Sequence, residues 1–260
     1  MFPQYQSRQI KPRFEWHPRM DSNHPLSVGC VGLWLLNEAG GLSAYDLSGN
    51  NNHGTLTNQP TWTSGRFGQA LSFDGVNDYV DCGNKASLNP TEALTVESWV
   101  KFNFLDYTGK TGELLAIAGK GFPDAADPNY GWWFSYDNRN NRKAFHYTCF
   151  GNSAGGYAGG VNNFAGTAYG YTFSTGVWYH LAFTITQTEA KLFINGAQHG
   201  PTKSISNLQL ADTTRTLRIG KLSSVNSYWD GLIDEVRIYN RALTSEEILE
   251  HYIVVKELFG

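Results

Sequence analysis

The chain has 260 residues, of which 20 are basic and 23 are acidic, so that its net charge is −3 at neutral pH. This length suits one large all-β domain or two small ones, and it suffices to bury a core. The nearly balanced charge does not suggest a nucleic-acid partner, whose binding surface would be a basic patch. No window approaches the roughly 18 uninterrupted apolar residues of a membrane span. The first residues lack the apolar core of a secretory signal, which predicts a chain that stays in the cytoplasm, leaves in a particle, or has lost its leader.

The first 27 residues differ in composition from everything that follows. They contain four prolines and no alternating apolar pattern, and their basic side chains outnumber their acidic ones. Such a segment cannot bury itself. We expect either an extended arm that becomes ordered only against a neighbouring molecule, or a floppy terminus.

Short strands follow one another from residue 28 onward. Residues 31–38 form a continuous apolar run, which indicates a strand buried on both faces. Residues 94–102 and 177–186 alternate between apolar and polar side chains, with Leu94 and Tyr179 each on an apolar face. Residues 143–150 are predicted to pair with 130–137 across a polar turn, and Asn195-Gly196 is a strong hairpin sequence.

The chain ends with one further strand and a helix. Simple alternation over residues 232–239 places Ile233, Glu235, Arg237 and Tyr239 on one face and Leu232, Asp234, Val236 and Ile238 on the other. Thr244 and Glu247 then match a capping box, and Leu243 and Ile248 match a hydrophobic staple, which predicts a helix near residues 244–252. About a dozen strands without an internal helix predict an all-β fold. The expected architecture is a two-sheet antiparallel β-sandwich, or jelly roll, over residues 28–260 with this one short helix.

Two features of the sequence leave alternatives open. The cysteines Cys30, Cys82 and Cys149 are odd in number and widely spaced, so they are either three buried thiols or one disulfide and a free thiol. Residues 151–170 are rich in glycine and asparagine and contain Tyr157, Phe164 and Tyr169. We interpret them as a long loop, a class that is often functional.

Seven motifs in order carry a family resemblance. They are W-x-x-N-E (34–38), D-x-S-G-N-x-N-H-G (46–54), F-D-G-x-x-D-Y-V (73–80), T-V-E-S-W-V (95–100), W-Y-H-L-A (178–182), L-F-I-N-G (192–196) and G-x-I-D-E-V-R-I-Y-N-R-A-L (231–243). Together they resemble the laminin-G-like jelly rolls of the concanavalin A-like lectin and glucanase superfamily, over nearly the whole chain. The resemblance implies the fold; it says little about activity, because function belongs to sites added to folds.

A narrower resemblance covers residues 22–41. Their sequence SNHPLSVGCVGLWLLNEAGG is similar to the start of laminin-G-like proteins encoded by tailed bacteriophages, which are taken for virion components. It implies a non-enzymatic structural or binding protein on a particle surface, such as a capsid decoration protein. Its partners would be a capsid protein, sister subunits in a homo-oligomer, and a host-surface glycan, with no nucleic acid and no membrane.

The glucanase branch of this superfamily carries paired carboxylates in an E-x-D-x-x-E run on one strand, and no such run occurs in this chain. Hydrolysis of a glycosidic bond needs two acids at a defined separation. Asp234 and Glu235 are adjacent, so a regular strand would point them to opposite faces. We therefore expect no catalytic residue and no enzyme activity, and a glycoside hydrolase is the least favoured alternative.

A structural calcium ion is the cofactor that the resemblance implies. Calcium binds carboxylate, amide and carbonyl oxygens, which the turn at residues 46–52 supplies. The predicted ligands are Asp46, Asn51 and, if the first and last strands are neighbours, Asp234. The alternative is that Asp46 and Asp234 accept backbone N–H bonds and only fix the turn.

Carbohydrate binding is the remaining possibility, with a lectin-like module or adhesin, secreted or on a cell surface, as the alternative to a virion protein. Lectin sites combine aromatic platforms with a few orienting polar groups. The candidate residues are Trp133, Tyr157, Phe164, Tyr169 and Trp229. The competing interpretation is that strand aromatics belong to the core or to a sheet surface.

Overall fold

The computed structural model describes residues 25–105, 114–121, 131–138, 144–149, 161–163, 171–205, 210, 213–222 and 227–259. Most of the predicted N-terminal arm therefore lies outside the described residues, as do Tyr157, Phe164 and Tyr169. The described strands are, in chain order, β1 Cys30–Trp34, β2 Ser43–Ala44, β3 Gly54–Thr57, β4 Thr61–Ser64, β5 Gln69–Asp74, β6 Tyr79–Asp81, β7 Leu94–Phe102, β8 Leu114–Lys120, β9 Trp132–Asp137, β10 Ala144–Cys149, β11 Val161–Asn163, β12 Trp178–Ile185, β13 Glu189–Ile194, β14 Ala197–Gln198, β15 Lys203–Ser204, β16 Leu217–Ile219 and β17 Asp230–Tyr239.

These strands form two sheets. The nine-stranded sheet has the order β14-β13-β12-β7-β17-β5-β4, with β1 also paired to β17 and β15 to β13. The eight-stranded sheet has the order β11-β10-β9-β8-β16-β6-β3-β2. Within each sheet, these strand pairings are antiparallel. The predicted antiparallel β-sandwich is confirmed, including the pairing of the first and last strands and of β9 with β10.

The core lies between the two sheets and follows the predicted alternation. The residues that β7 and β12 turn inwards belong to one buried cluster, and they are Leu94, Val96, Val100, Phe102, Tyr179, Leu181, Phe183 and Ile185. Cys30, Cys82 and Cys149 are buried and not bridged, as the first interpretation of the cysteines predicted. At the predicted hairpin, Asn195 and Gly196 have φ values of 51° and 78°, the left-handed conformation that a tight turn between β13 and β14 requires.

The helix α1, Ser245–Phe259, packs on the outer face of the nine-stranded sheet. The capping box is present: the Thr244 N–H donates to Glu247 at 2.8 Å, and the Glu247 N–H donates to the Thr244 hydroxyl at 3.2 Å. Leu243 and Ile248, the predicted staple pair, share a buried cluster with Tyr239. The helix is longer than residues 244–252, because the chain contains no glycine or proline between Ser245 and Phe259 to end it. Within the described residues, no helix has the length and apolar character needed to cross a membrane.

One prediction for the last strand is wrong. Asp234 is paired with Trp99 and Arg237 with Glu97, so two residues of β17 face the single residue between those partners on β7. This β-bulge, with Glu235 at a φ of 50°, shifts the alternation by one position. Asp234 therefore does not share the core-facing side with Val236, and the carboxylates of 234 and 235 do not point to opposite faces of the sheet.

Candidate functional site

The outer face of the nine-stranded sheet holds a buried cluster of charged side chains under α1. Glu97, at its centre, has no exposed surface. Its Oε1 lies 2.5 Å from His251 Nδ1 and 3.3 Å from Arg237 Nη1, and its Oε2 lies 3.6 Å from His180 Nε2. The other terminal nitrogen of Arg237, Nη2, lies 2.9 Å from Glu235 Oε2. The cluster joins three strands and the helix.

The electrostatics of this cluster indicate a structural role. Burial alone would raise the pKa of Glu97, but His251, His180 and Arg237 together hold that pKa well below its ordinary value. Burial lowers the pKa of His180. A carboxylate kept ionised and sealed beneath a helix can neither donate a proton to a substrate nor contact one. We therefore infer that the cluster holds α1 against the nine-stranded sheet.

The two carboxylates predicted to bind calcium serve different turns. Asp46 Oδ1 accepts the N–H groups of Leu33 and Ser48, both at 2.9 Å, and Oδ2 accepts the Ser48 hydroxyl at 2.9 Å and the Asn52 N–H at 2.8 Å. Asp234 Oδ2 instead accepts the N–H groups of Arg66 and Phe67, at 2.9 and 3.1 Å. Burial, followed by the charge of Glu235, raises the pKa of Asp234 to about 8.

The third predicted ligand, Asn51, offers its carbonyl to a lysine. Lys85 Nζ donates to Asn51 O at 2.7 Å and to Asn50 O at 3.4 Å. A calcium ion at this turn would compete with that ammonium group and with the hydrogen bonds to Asp46. Within the described residues, no three His, Cys, Asp or Glu side chains are grouped to hold a metal. Calcium binding at these positions stays a prediction.

The two candidate tryptophans within the described residues are buried. Trp229 has no exposed surface, its ring centroid lies 5.0 Å from that of Phe102, and its indole N–H donates to Leu232 O at 3.3 Å. Trp133 is 5% exposed and packs with Leu114 and Leu222. Neither ring offers an open face on which a sugar could stack, which agrees with the competing interpretation of strand aromatics.

The outer face of the eight-stranded sheet carries a row of directly paired residues from several strands. Residues that are directly paired point to the same face of a sheet. The row consists of Thr55 on β3, Asp81 on β6, Arg218 on β16, Gly119 on β8, Trp133 on β9 and Thr148 on β10. Thr55 is exposed and Asp81 and Arg218 are half-buried, whereas Trp133 and Thr148 are buried. The accessible part of this face thus lies over β3, β6 and β16.

An open groove of about 560 Å³ lies at this accessible part. Most of its lining residues have polar side chains, among them amides, hydroxyls, an imidazole, an ammonium and one carboxylate. The lining residues are Asn51, Asn52, His53, Thr55, Thr57, Asp81, Cys82, Gly83, Asn84 and Lys85. Such a surface presents both hydrogen-bond donors and acceptors to a ligand.

Aromatic and basic side chains adjoin the groove. Tyr79 is paired with Thr57 and is half-buried. Arg218 Cζ lies 5.1 Å and Lys221 Nζ 4.7 Å from the centroid of the Tyr79 ring. Lys221 Nζ also lies 4.8 Å from the ring of Tyr228. Arg218 Nε contacts Asp81 Oδ2 at 3.5 Å.

This groove was not predicted from the sequence. Alternation within residues 79–81 could have placed Tyr79 and Asp81 on one face and the buried Val80 on the other. No sequence pattern, however, shows that residues 51–57 lie beside β6 and β16.

The comparisons with known proteins concern the same fold. The model of a family described as the concanavalin A-like lectin/glucanases superfamily matches residues 74–249. Domain 4 of AbnA, an extracellular arabinanase of Geobacillus stearothermophilus solved with arabinotriose, is similar with a TM-score of 0.63 and 23% identity, over 85% of this chain and 97% of that chain. No curated protein matches.

Two further solved structures resemble the chain over only part of their own length. The binding domain of Paraclostridial Mosquitocidal Protein 1 has a TM-score of 0.65 and 20% identity, over 87% of this chain and 52% of that one. Trypanosoma rangeli sialidase in complex with sialic acid has a TM-score of 0.59 and 17% identity, over 89% of this chain and 34% of that one. At these identities the likeness establishes the fold. The family match covers more than half of the chain, and the protein therefore belongs to the concanavalin A-like lectin/glucanase superfamily.

Proposed function

We propose that this protein binds a glycan in the groove on the outer face of the eight-stranded sheet and does not cleave it. The observation that carries the proposal is the set of amide and hydroxyl side chains that line that groove, with Tyr79 at its side. Sugar hydroxyl groups both donate and accept hydrogen bonds, and amide and hydroxyl side chains can satisfy both. The proposal corresponds to the lectin-like alternative of the sequence analysis, with a different set of residues.

The relatives of known structure support this class of function. One similar domain was solved with arabinotriose, and another is named as a binding domain. Both share the sandwich architecture, so that the same two sheet faces are available to them. Their ligands are properties of those proteins, and the sugar bound by this chain has to be found by measurement.

The absence of cleavage rests on the carboxylates. Asp81 is the one carboxylate among the described lining residues of the groove, and it contacts Arg218. Acid–base hydrolysis of a glycosidic bond generally needs two such groups flanking the bond. Glu97, although buried and ionised, lies on the other sheet beneath α1. We expect no release of reducing ends from any glycan that binds.

The test is a panel of soluble oligosaccharides titrated against wild type and the variant Thr55→Trp. Thr55 is exposed on the groove, so an indole at this position fills the space that a sugar would occupy. Thr61→Trp is the matched control, because Thr61 is also an exposed strand threonine but belongs to β4 of the other sheet. We expect Thr55→Trp to abolish binding and Thr61→Trp to leave it unchanged. Equal binding by both variants would contradict the assignment of the glycan to this groove.

The similarity of residues 22–41 to phage virion proteins supports a second role that is compatible with the first. In that role the protein decorates a particle, and its N-terminal arm docks onto a capsid protein or a sister subunit. Deletion of residues 1–24 removes only residues outside the described ones and retains the buried Leu26. The deletion should abolish oligomerisation or particle binding and leave glycan binding unchanged. If the truncated chain still oligomerises and still binds particles, this role is ruled out.

A further inference from the structure

The charges around the groove differ in sign from the charge of the whole chain. The protein carries a net charge of −3. Lys85 lines the groove, and Arg218 and Lys221 lie beside it at the ring of Tyr79. Among the described lining residues Lys85 is matched by Asp81, so the excess of positive charge comes from Arg218 and Lys221 beside the groove. This part of the surface is therefore locally positive and favours an anionic ligand.

Arg218 is only weakly paired with a carboxylate. It contacts Asp81 through Nε at 3.5 Å, the outer limit of a hydrogen bond, and the two side chains are 21% and 30% exposed. Within the described part of the chain, the Nη atoms of Arg218 have no carboxylate partner. The planar fork of a guanidinium matches a carboxylate with two parallel N–H bonds.

Two aromatic rings hold the ammonium group of Lys221 in place. Its ammonium group lies between the rings of Tyr79 and Tyr228, at 4.7 and 4.8 Å from their centroids. Cation–π contacts of this kind position an ammonium group without neutralising its charge. No ion pair joins Lys221 to a carboxylate of the described residues, unlike Lys191, which contacts Glu189 at 2.6 Å.

Resting on the proposed function, we infer that the glycan is acidic and that its carboxylate binds Arg218 and Lys221. The hydroxyl groups of the same sugar and its neighbours bind the amide and hydroxyl side chains of the groove, Thr57 among them, which is paired with Tyr79. Asp81 orients Arg218 through Nε. Uronic acids and sialic acids both meet this description, since each carries one carboxylate beside several hydroxyl groups.

The experiment compares sugars that differ only in charge. Titration calorimetry at low salt is run on the full chain with trigalacturonate and its methyl ester, with sialyllactose and its methyl ester, and, as a separate neutral ligand, with arabinotriose. Arg218→Gln and Lys221→Gln each remove one cation of the inferred subsite. Lys191→Gln is the matched control, because it removes a lysine charge from β13 of the other sheet. Melting temperatures establish that each variant is folded.

We expect at least one acidic sugar to bind about tenfold or more tightly than its neutral partner, with affinity falling as salt is added. Arg218→Gln and Lys221→Gln should each weaken that binding about tenfold, as the loss of a charged hydrogen bond does. Lys191→Gln should leave it unchanged.

The opposing results separate this inference from the proposed function. Neutral sugars that bind as well as their acidic partners would overturn the acidic ligand and leave glycan binding standing. Binding of acidic sugars that survives both groove variants would overturn the assigned subsite. If no sugar of either kind binds, the inference and the proposed function fall together.

Discussion

The carboxylate Oε1 of Glu97, on the central strand β7, lies 2.5 Å from Nδ1 of His251 on the C-terminal helix. Around this contact lie His180 and Arg237. The motifs T-V-E-S-W-V, W-Y-H-L-A and I-D-E-V-R-I-Y supply three of these four residues. Three of the seven motifs thus converge on a structural cluster, while the motifs at residues 46–54 and 73–80 supply Asn51, Asn52, His53 and Tyr79 at the candidate groove on the other sheet.

Removal of the Glu97 charge should strongly destabilise the fold. In Glu97→Gln, Arg237 and His251 lose their shared buried carboxylate, and such a loss costs about 3–5 kcal/mol. Chemical denaturation of the variant measures this cost. Glu189→Gln is the control, since Glu189 belongs to an exposed pair with Lys191 and its removal should cost no more than about 0.5 kcal/mol. A decrease of less than about 1 kcal/mol in the free energy of unfolding of Glu97→Gln would show that the cluster does not hold α1 on the sheet.

The same carboxylate should make stability depend on acid. The pKa of Glu97 is held below its ordinary value of 4.5, so its contribution is fully present above pH 4.5. That contribution is lost as the pH falls through the lower pKa of the folded state. We expect the stability difference between wild type and Glu97→Gln to shrink on acidification below pH 4.5. Thermal melts from pH 7 to pH 3 measure it; a constant difference would contradict the assignment.

Asp234 should act in the opposite direction. Its pKa is raised from 3.8 to about 8, so the folded state binds this proton more tightly than the unfolded chain does. The stability that protonated Asp234 provides is therefore lost as the pH rises from about 4 to about 8. Asp234→Asn, which resembles the protonated acid, should lose less stability than wild type over this range. Parallel stability profiles of the two proteins would argue that Asp234 is ionised at neutral pH.

The tight turn between β13 and β14 should be sensitive to a single methyl group. At Gly196, a Cβ would lie 2.9 Å from Tyr252 Cδ1 and 3.0 Å from Leu249 Cδ1, and φ is +78°. Gly200 has a similar φ of +77°, but no atom lies within 4 Å of the corresponding position. Gly200→Ala should cost about 1 kcal/mol from backbone strain alone. Gly196→Ala should cost at least about 1 kcal/mol more, because α1 has to move. Equal losses in denaturation would mean that α1 does not pack on this turn.

Chelation tests the calcium prediction at Asp46, Asn51 and Asp234. Asp46 already accepts four hydrogen bonds and Lys85 already binds Asn51 O, which favours the alternative that these bonds fix the turn without an ion. We therefore expect a chelator to leave the melting temperature unchanged. Asp46→Asn should still destabilise the protein, by about 1–3 kcal/mol, because it converts an acceptor of these bonds into a donor. A melting temperature that falls with chelator and recovers with added calcium would instead establish the ion.

Much of the fold could be predicted because local patterns and tertiary packing agree. Alternation identified the inward faces of β7 and β12, Asn195-Gly196 marked a turn, and Thr244 marked the start of α1. The bulge at Glu235 could not be predicted, since a residue other than glycine or asparagine at a φ of 50° leaves no trace in the sequence.

The candidate site was harder to predict for a different reason. Aromatic composition does not distinguish a sugar platform from a core residue, and Trp229 proved to be fully buried. The groove depends on how β3, β6 and β16 are registered across the sheet. Register between strands distant in sequence is set by the packed core, which a single sequence does not reveal.

The central claim is that the groove side of the eight-stranded sheet is the glycan-binding surface. The most direct measurement uses nuclear magnetic resonance to follow the backbone amide chemical shifts while the sugar of highest affinity in the panel is added. We predict changes concentrated at residues 51–57, 79–85 and 218–221, with β13 and α1 unaffected. Changes confined to the nine-stranded sheet or to α1, or no changes with any sugar, would contradict it.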